Sequence, residues 1–219
     1  MSIRIGLYDF FAYTIPGAFY LLTIGYLTYT LSIWNVNFQA LKDFATAATL
    51  IAITIAYMLG ILLDQFARFW QRLFTSRHAE LDVLEKFRKN FPNLDIKVQP
   101  NDGGILRAYI KKTDTDTASA IEKNGATRTM LRNISLNFFI LFIIFLVQTI
   151  VSSQLQLITA TLGIVSLVFS FSAGKQVARY DEWYYALTYE SIIASSLSPS
   201  DFVEKKKRTS TKSKNSGER

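Results

Sequence analysis

Residues Ala45–Phe74 read ATAATLIAITIAYMLGILLDQFARFWQRLF, and the fold class turns on them. From Phe44 to Leu63 the chain runs 20 residues without a charge. At the rise of an α-helix that is ~30 Å, the thickness of a bilayer's hydrocarbon core. Ala48, Ala52, Ala56 and Gly60 recur every fourth residue and stack along one helix face. Such a small-residue stripe lets two helix backbones approach where lipid gives no hydrophobic drive for association. Asp64, Arg68, Arg72 and Arg77 follow. One segment thus holds a membrane span, a packing seam and the start of a charged interface.

Outward from this stretch, charge keeps to separate windows. Residues 10–41 and 133–174 also lack Asp, Glu, Lys and Arg, although the chain is 19% charged and 50% hydrophobic overall. The last window, 42 residues, is long enough to cross a bilayer twice. The reading is an all-α membrane protein with four transmembrane helices in two hairpins, near 15–33, 44–66, 134–152 and 156–174. No cleavable leader follows a basic start, so the first helix is expected to act as a signal anchor.

The 219 residues carry a formal charge of +7. Thirteen Lys/Arg fall in 65–133 and nine in 175–219, against a single one, Lys42, in the short connections 34–43 and 153–155. The positive-inside rule then places both termini and the large loop in the cytoplasm. Topology accounts for the basic balance, and nucleic acid is disfavoured as a partner. The lipid bilayer, anionic lipid headgroups, and either a homo-oligomer or a cytoplasmic protein are the partners expected.

The chain divides as follows. Residues 1–74 form an interfacial lead-in and the first hairpin, with a bend at Ile15-Pro16-Gly17 or, alternatively, Pro16 in the first turn of the span. Residues 75–133 form a small, mostly helical cytoplasmic insertion. Within it Leu81, Leu84 and Phe87 mark an amphipathic helix. Alternation at Asp95–Val98, the turn Pro100–Gly104 and the run Ile105–Ile110 read as a β-hairpin. Residues 134–174 form the second hairpin, whose first helix is rich in phenylalanine, as lipid-facing helices are. Residues 175–198 form an aromatic interfacial helix, and 199–219 a disordered basic tail.

Few residues suggest chemistry. The chain has no cysteine and one histidine, His78, which removes thiolate and disulfide chemistry and multi-histidine metal sites. No Walker A, HExxH or dinucleotide glycine fingerprint is present. No catalytic residue, cofactor or metal site is assigned, and the chain is read as a non-enzyme. Ser166, Ser170 and Gly174 form a second small-residue seam, a natural partner for Ala48/Ala52/Ala56/Gly60. Asp9, Asp64, Arg68, Arg72 and Lys175 are read as an interfacial charge cluster. Asp64 lies four residues before Arg68, the favoured ion-pair spacing, with Arg4 or Lys175 as further partners. The sharper alternative makes Asp64 a pore or relay carboxylate. Asn101, Asp102, Gly103 and Gly104 are a candidate anion site in which backbone N–H groups would cradle the ligand, against the plainer reading of a turn.

Three short stretches carry a resemblance: DFFAYTIPG (9–17), YMLGILLDQF (57–66) and LRNISL (131–136). Together they look like bacterial inner-membrane proteins of unknown function, and the layout resembles the four-span membrane subunit of the Kiwa anti-phage system. The resemblance covers about a third of the chain and transfers no functional residue. It implies a small bacterial membrane subunit that works with a soluble partner in phage defence. From the residues themselves, the expected function is a non-enzymatic anchor or sensor for a cytoplasmic partner. The alternative is an oligomeric pore or membrane-depolarising effector; a small-ligand sensor using Asn101–Gly104 is a third option.

Overall fold

A computed structural model describes residues 6–31, 45–74, 79–90, 103–151 and 156–196. The described elements are helical: α1 (Leu7–Thr30), α2 (Ala45–Gln71), α3 (Ala79–Asn90), α4 (Gly103–Thr113), α5 (Thr115–Val151) and α6 (Gln156–Ser196). Four are long and apolar enough to cross a membrane: α1, α2, α5, and α6 as far as Ile192. The chain forms two compact units. One holds α1, α2, α5 from Glu122 and α6 up to Trp183. The other holds α3, α4, the start of α5 and the chain from Tyr184.

In the first unit, α1 and α2 meet backbone to backbone. A Cβ built on Gly17 would lie within 1.6 Å of the Ala56 carbonyl oxygen, and one on Gly60 within 2.1 Å of that of Tyr13. Helices this close tolerate nothing larger than glycine at those points. The same contacts explain why α1 does not break at Pro16. The ring is buried inside a continuous helix, held on either side by Gly17 against Ala56 and Tyr13 against Gly60. Neither the bend at Ile15–Gly17 nor a first-turn proline describes it, since Pro16 lies in the third turn of α1.

The phenylalanine-rich helix α5 leaves Ile143, Leu146, Val147 and Ile150 exposed, as a lipid-facing helix does, but several of its rings turn to protein. It packs on the other three long helices, through Phe138 on Phe19 and Phe169, Phe139 stacked on Trp70, and Phe145 on Tyr26. The physical reason lies beside those rings. Asn133, Ser135 and Asn137 are buried on α5, and amide or hydroxyl groups at such depth need protein partners that lipid cannot offer. Likewise the aromatics after Asp64 divide. Phe66, Phe69 and Leu73 face outward, whereas Trp70 packs on Phe139 and Phe74 on Phe171.

In the second unit, Val83, Leu84 and Phe87 of α3 pack with Tyr189, and Ile110 of α4 packs with Ala118 and Ile121. Leu81 falls outside this stripe and is exposed. The expected β-hairpin is not found among the described residues. Its second strand, Ile105–Ile110, is the body of α4, and residues 95–102 lie outside the described residues. The helix wins because Leu106 and Ile110, four apart, reach the core, while Ile105 and Tyr109 share the outer face. That pattern satisfies a 3.6-residue period better than an alternating one. Asp114 caps α5: its carboxylate accepts from the Asp116 and Thr117 amides, each at 3.1 Å, and from the Thr117 hydroxyl. These hydrogen bonds, that of the hydroxyl first, hold its pKa below the ordinary carboxylate value.

Candidate functional site: a buried charge relay joining the long helices

Asp64 extends the small-residue stripe of α2 by one further turn. It is 4% exposed. Its Oδ2 accepts from Arg68 Nε at 2.9 Å, the expected i,i+4 pair. Its Oδ1 accepts from Arg132 Nη2 and from Asn133 Nδ2, at 2.5 and 2.9 Å. Both α5 donors are buried, Asn133 completely. The chain of contacts continues: Arg132 Nη1 donates to Gln71 Oε1 at 3.1 Å, and Gln71 Nε2 donates to Asp181 Oδ2 at 2.5 Å. Asp181 Oδ1 then accepts from Arg128 Nη1 at 2.8 Å. Two aspartates and three arginines of α2, α5 and α6 are thus joined in one sequence of bonds.

α1 joins through Tyr20, whose hydroxyl donates to the Asn133 carbonyl at 2.8 Å. Thr23 reaches Asn137 Oδ1 one turn further at 3.0 Å. Ser135 and Ser170 exchange hydroxyl-to-carbonyl bonds, each 2.8 Å, and Trp70 donates to the Ser135 hydroxyl at 3.0 Å. A buried ion pair seldom stabilises more than a well-packed apolar pair, because desolvation offsets the Coulomb gain. Here Asn133 Oδ1 and Arg132 Nε still have no hydrogen-bond partner among the described residues. The cluster therefore fixes which helices meet, and at what depth, more than it adds stability.

The expected site residues separate under this geometry. Ala56 and Gly60 of the first seam are buried against α1, with Ala48 and Ala52 half-buried. The second seam turns elsewhere: Ser170 to Ser135, and Gly174 to the Phe74 ring, 2.9 Å from a Cβ built there. Ser166 is buried as well. Ala56 and Gly60 therefore meet α1 instead of the α6 stripe. Of the charge cluster, Asp64 and Arg68 come together. Asp9, Arg72 and Lys175 stay on the surface, with Arg72 lying over the Phe69 ring at 6.0 Å.

Arg132, not Lys175, is the second cation bound to Asp64 among the described residues, and Arg4 lies outside them. The sequence held one pointer to it: Arg132 is the last charge before the uncharged window 133–174, as Asp64 is the first after 44–63. Asp181, Gln71 and Tyr20 carried no comparable mark.

The anion site has no support from its two described members. Gly103 and Gly104 open α4 instead of forming a loop, and Asn101 and Asp102 lie outside the described residues. A Cβ on Gly103 would meet Glu80 Oε1 at 3.3 Å, and that oxygen already accepts from the Tyr189 hydroxyl at 2.9 Å. The Arg107 guanidinium lies as near to the same point, at 3.2 Å, so a cation and a carboxylate both border Gly103 and their effects on an anion oppose one another. Among the described residues no three His, Cys, Asp or Glu side chains gather as a metal site. The chain matches no protein-family model, and no curated protein or solved structure is similar to it.

Proposed function

We propose that this chain is a non-enzymatic integral subunit of a bacterial inner membrane, an anchor or sensor for a cytoplasmic partner, in keeping with its resemblance to anti-phage membrane subunits. The observation that carries the reading is the length of α5. Its 37 residues extend to ~55 Å as one helix, well beyond a ~30 Å hydrocarbon core. Its apolar half ends at Arg132, and its other end, from Thr115, belongs to the second helical unit. The second unit offers Ile105 and Tyr109, 74% and 52% exposed on one face of α4. They lie beside Lys111 and Lys112, apolar and basic groups suited to a protein partner.

The four spans are proposed to form two hairpins with both termini in the cytoplasm. Support comes from the order of contacts. Tyr13 and Gly17 meet Gly60 and Ala56 in reversed order, as Ser135 and Thr149 meet Ser170 and Thr159. The three stretches that carry the resemblance also meet here, supplying Tyr13 and Gly17, Gly60 and Asp64, and Arg132, Asn133 and Ser135.

The pore alternative is weaker on one ground. Polar side chains of α5 sit at Arg132–Asn137 and again at Gln148–Thr149. The ten apolar residues 138–147 put ~16 Å of helix between Asn137 and Gln148. A water-filled path along this helix would be interrupted there. Purification in mild detergent tests the reading: it is expected to recover an oligomer or a co-purifying soluble protein. A lone monomer, recovered repeatedly from native expression, would overturn it.

A further inference from the structure

Arg68 follows Asp64 by one helical turn, and Arg72 follows Arg68 by another. Asp64 holds Arg68 through Nε, yet 64% of the Arg68 side chain is exposed. The carboxylate is itself fixed by Arg132 and Asn133, so Arg68 is oriented from the interior. A guanidinium held at Nε turns its two Nη groups away from the anchoring carboxylate. That fork matches the oxygens of a phosphate. Asp64 is shared between two arginines, which leaves Arg68 only partly neutralised. Asp9 is exposed on α1 and makes no ion pair with Arg68 among the described residues.

The surroundings of the fork are apolar. Phe66, Phe69 and Leu73 are 66%, 72% and 70% exposed, and Arg72 lies over Phe69. Water is a poor neighbour for three such side chains in a row, and a soluble anion has no use for them. Acyl chains do, and a lipid carries its phosphate at the edge of its acyl region.

The geometry points to a binding site for the phosphate of an anionic phospholipid, gripped by Arg68 and Arg72, with Phe69 and Leu73 at headgroup depth and the acyl chains running toward the membrane interior along Phe66, Leu62 and Ile61, which are exposed on α2. This rests on the membrane-spanning reading, but not on partner recruitment. Charge complementarity and the exposed apolar flank select a lipid over a second copy of the chain.

The full chain in nanodiscs tests it, in phosphatidylcholine alone and in its mixture with phosphatidylglycerol. The readouts are the thermal midpoint and lipid retention by native mass spectrometry. Phosphatidylglycerol is expected to raise the midpoint and stay bound. R68Q/R72Q is expected to lower retention about tenfold, the loss of charge-assisted hydrogen bonds. R179Q, which removes an exposed cation on α6, is expected to leave retention unchanged.

Equal loss in R179Q would mean a diffuse field and would overturn the site, as would full retention in R68Q/R72Q. Inorganic phosphate reproducing the shift in phosphatidylcholine discs would overturn the lipid assignment. A change in oligomer mass at constant lipid retention would give the surface to a second copy instead. Should R68Q/R72Q fail to fold, R68K/R72Q keeps a cation on Asp64 and drops the fork; undiminished retention there overturns the proposal. Failure to recover a protein partner leaves these readouts untouched, so this inference and the proposed function fail separately.

Discussion

At Asp64 and Arg132 two charges are buried together, with side chains 5% and 6% exposed. Removing one partner strands the other, a cost of ~3–5 kcal/mol for pairs of this kind. Arg132→Met is therefore expected to destabilise the protein by about that amount, measured by denaturant unfolding in micelles. Asp64→Leu combined with Arg132→Met is expected to recover much of the loss, since no buried charge then stays unpaired and Arg68, which loses its carboxylate, is exposed to solvent. Simple addition of the two single effects would show that the pair does not couple. Asp64 was legible in the sequence because it directly ends the uncharged run 44–63, one turn beyond the small-residue stripe. Its partnership with Arg132 was not, because the two lie 68 residues apart and nothing local encodes a shared depth. Arg68 was found because its i,i+4 spacing is local.

The elements are tuned by their closest approach, and glycines decide it. A Cβ at Gly17 would penetrate the Ala56 carbonyl, whereas one at Gly25 would meet nothing within 4 Å. Gly17→Ala is expected to force α1 and α2 apart and cost ~1–3 kcal/mol or more, as overpacking does. Gly25→Ala lies in the same helix and is expected to be neutral or to stabilise by roughly 0.5–1 kcal/mol, since alanine orders a helix at lower entropic cost. Thermal midpoints of the two variants in one detergent compare them directly; equal losses would mean that α1 and α2 are not in close contact.

At the other end of α5, the folded-state pKa of Asp114 is depressed. Its capping contribution is thus fully present above the unfolded carboxylate value of about 3.9 and fades as pH falls through the lower folded value. Asp114→Ala is expected to speed hydrogen exchange at the Asp116 and Thr117 amides at neutral pH, and to change it little in strong acid. The small-residue stripe was readable because it is a short-range pattern. The helical state of Ile105–Ile110 was not. Its β-branched and aromatic residues favour a strand locally, and the choice rests on Leu106 and Ile110 reaching the α3, α5 and α6 side chains around them.

At the scale of the molecule, the uncharged windows reveal the long helices because charge in hydrocarbon is so costly. Their division into units was not legible. The hydropathy boundaries fall at 133 and 174, whereas α5 and α6 each contribute residues to both units. Helices can run past a hydropathy boundary without any break in their own pattern of backbone bonds. Orientation is the remaining global property, and the charge counts make a testable prediction of it. Thirteen Lys/Arg lie in 65–133 and nine in 175–219, against one in the two short connections. The chain contains no cysteine, so single thiols can be placed without background. Asn37→Cys is expected to react with a membrane-impermeant maleimide in intact spheroplasts. Glu85→Cys and Ser213→Cys are expected to react only after the membrane is opened. Glu85 is 69% exposed on α3, so protection there would report the membrane barrier and not burial in the protein. Labelling of Ser213→Cys in intact cells, with Asn37→Cys protected, would invert the topology. The basic unit, with Ile105 and Tyr109 on its surface, would then face away from any cytoplasmic partner.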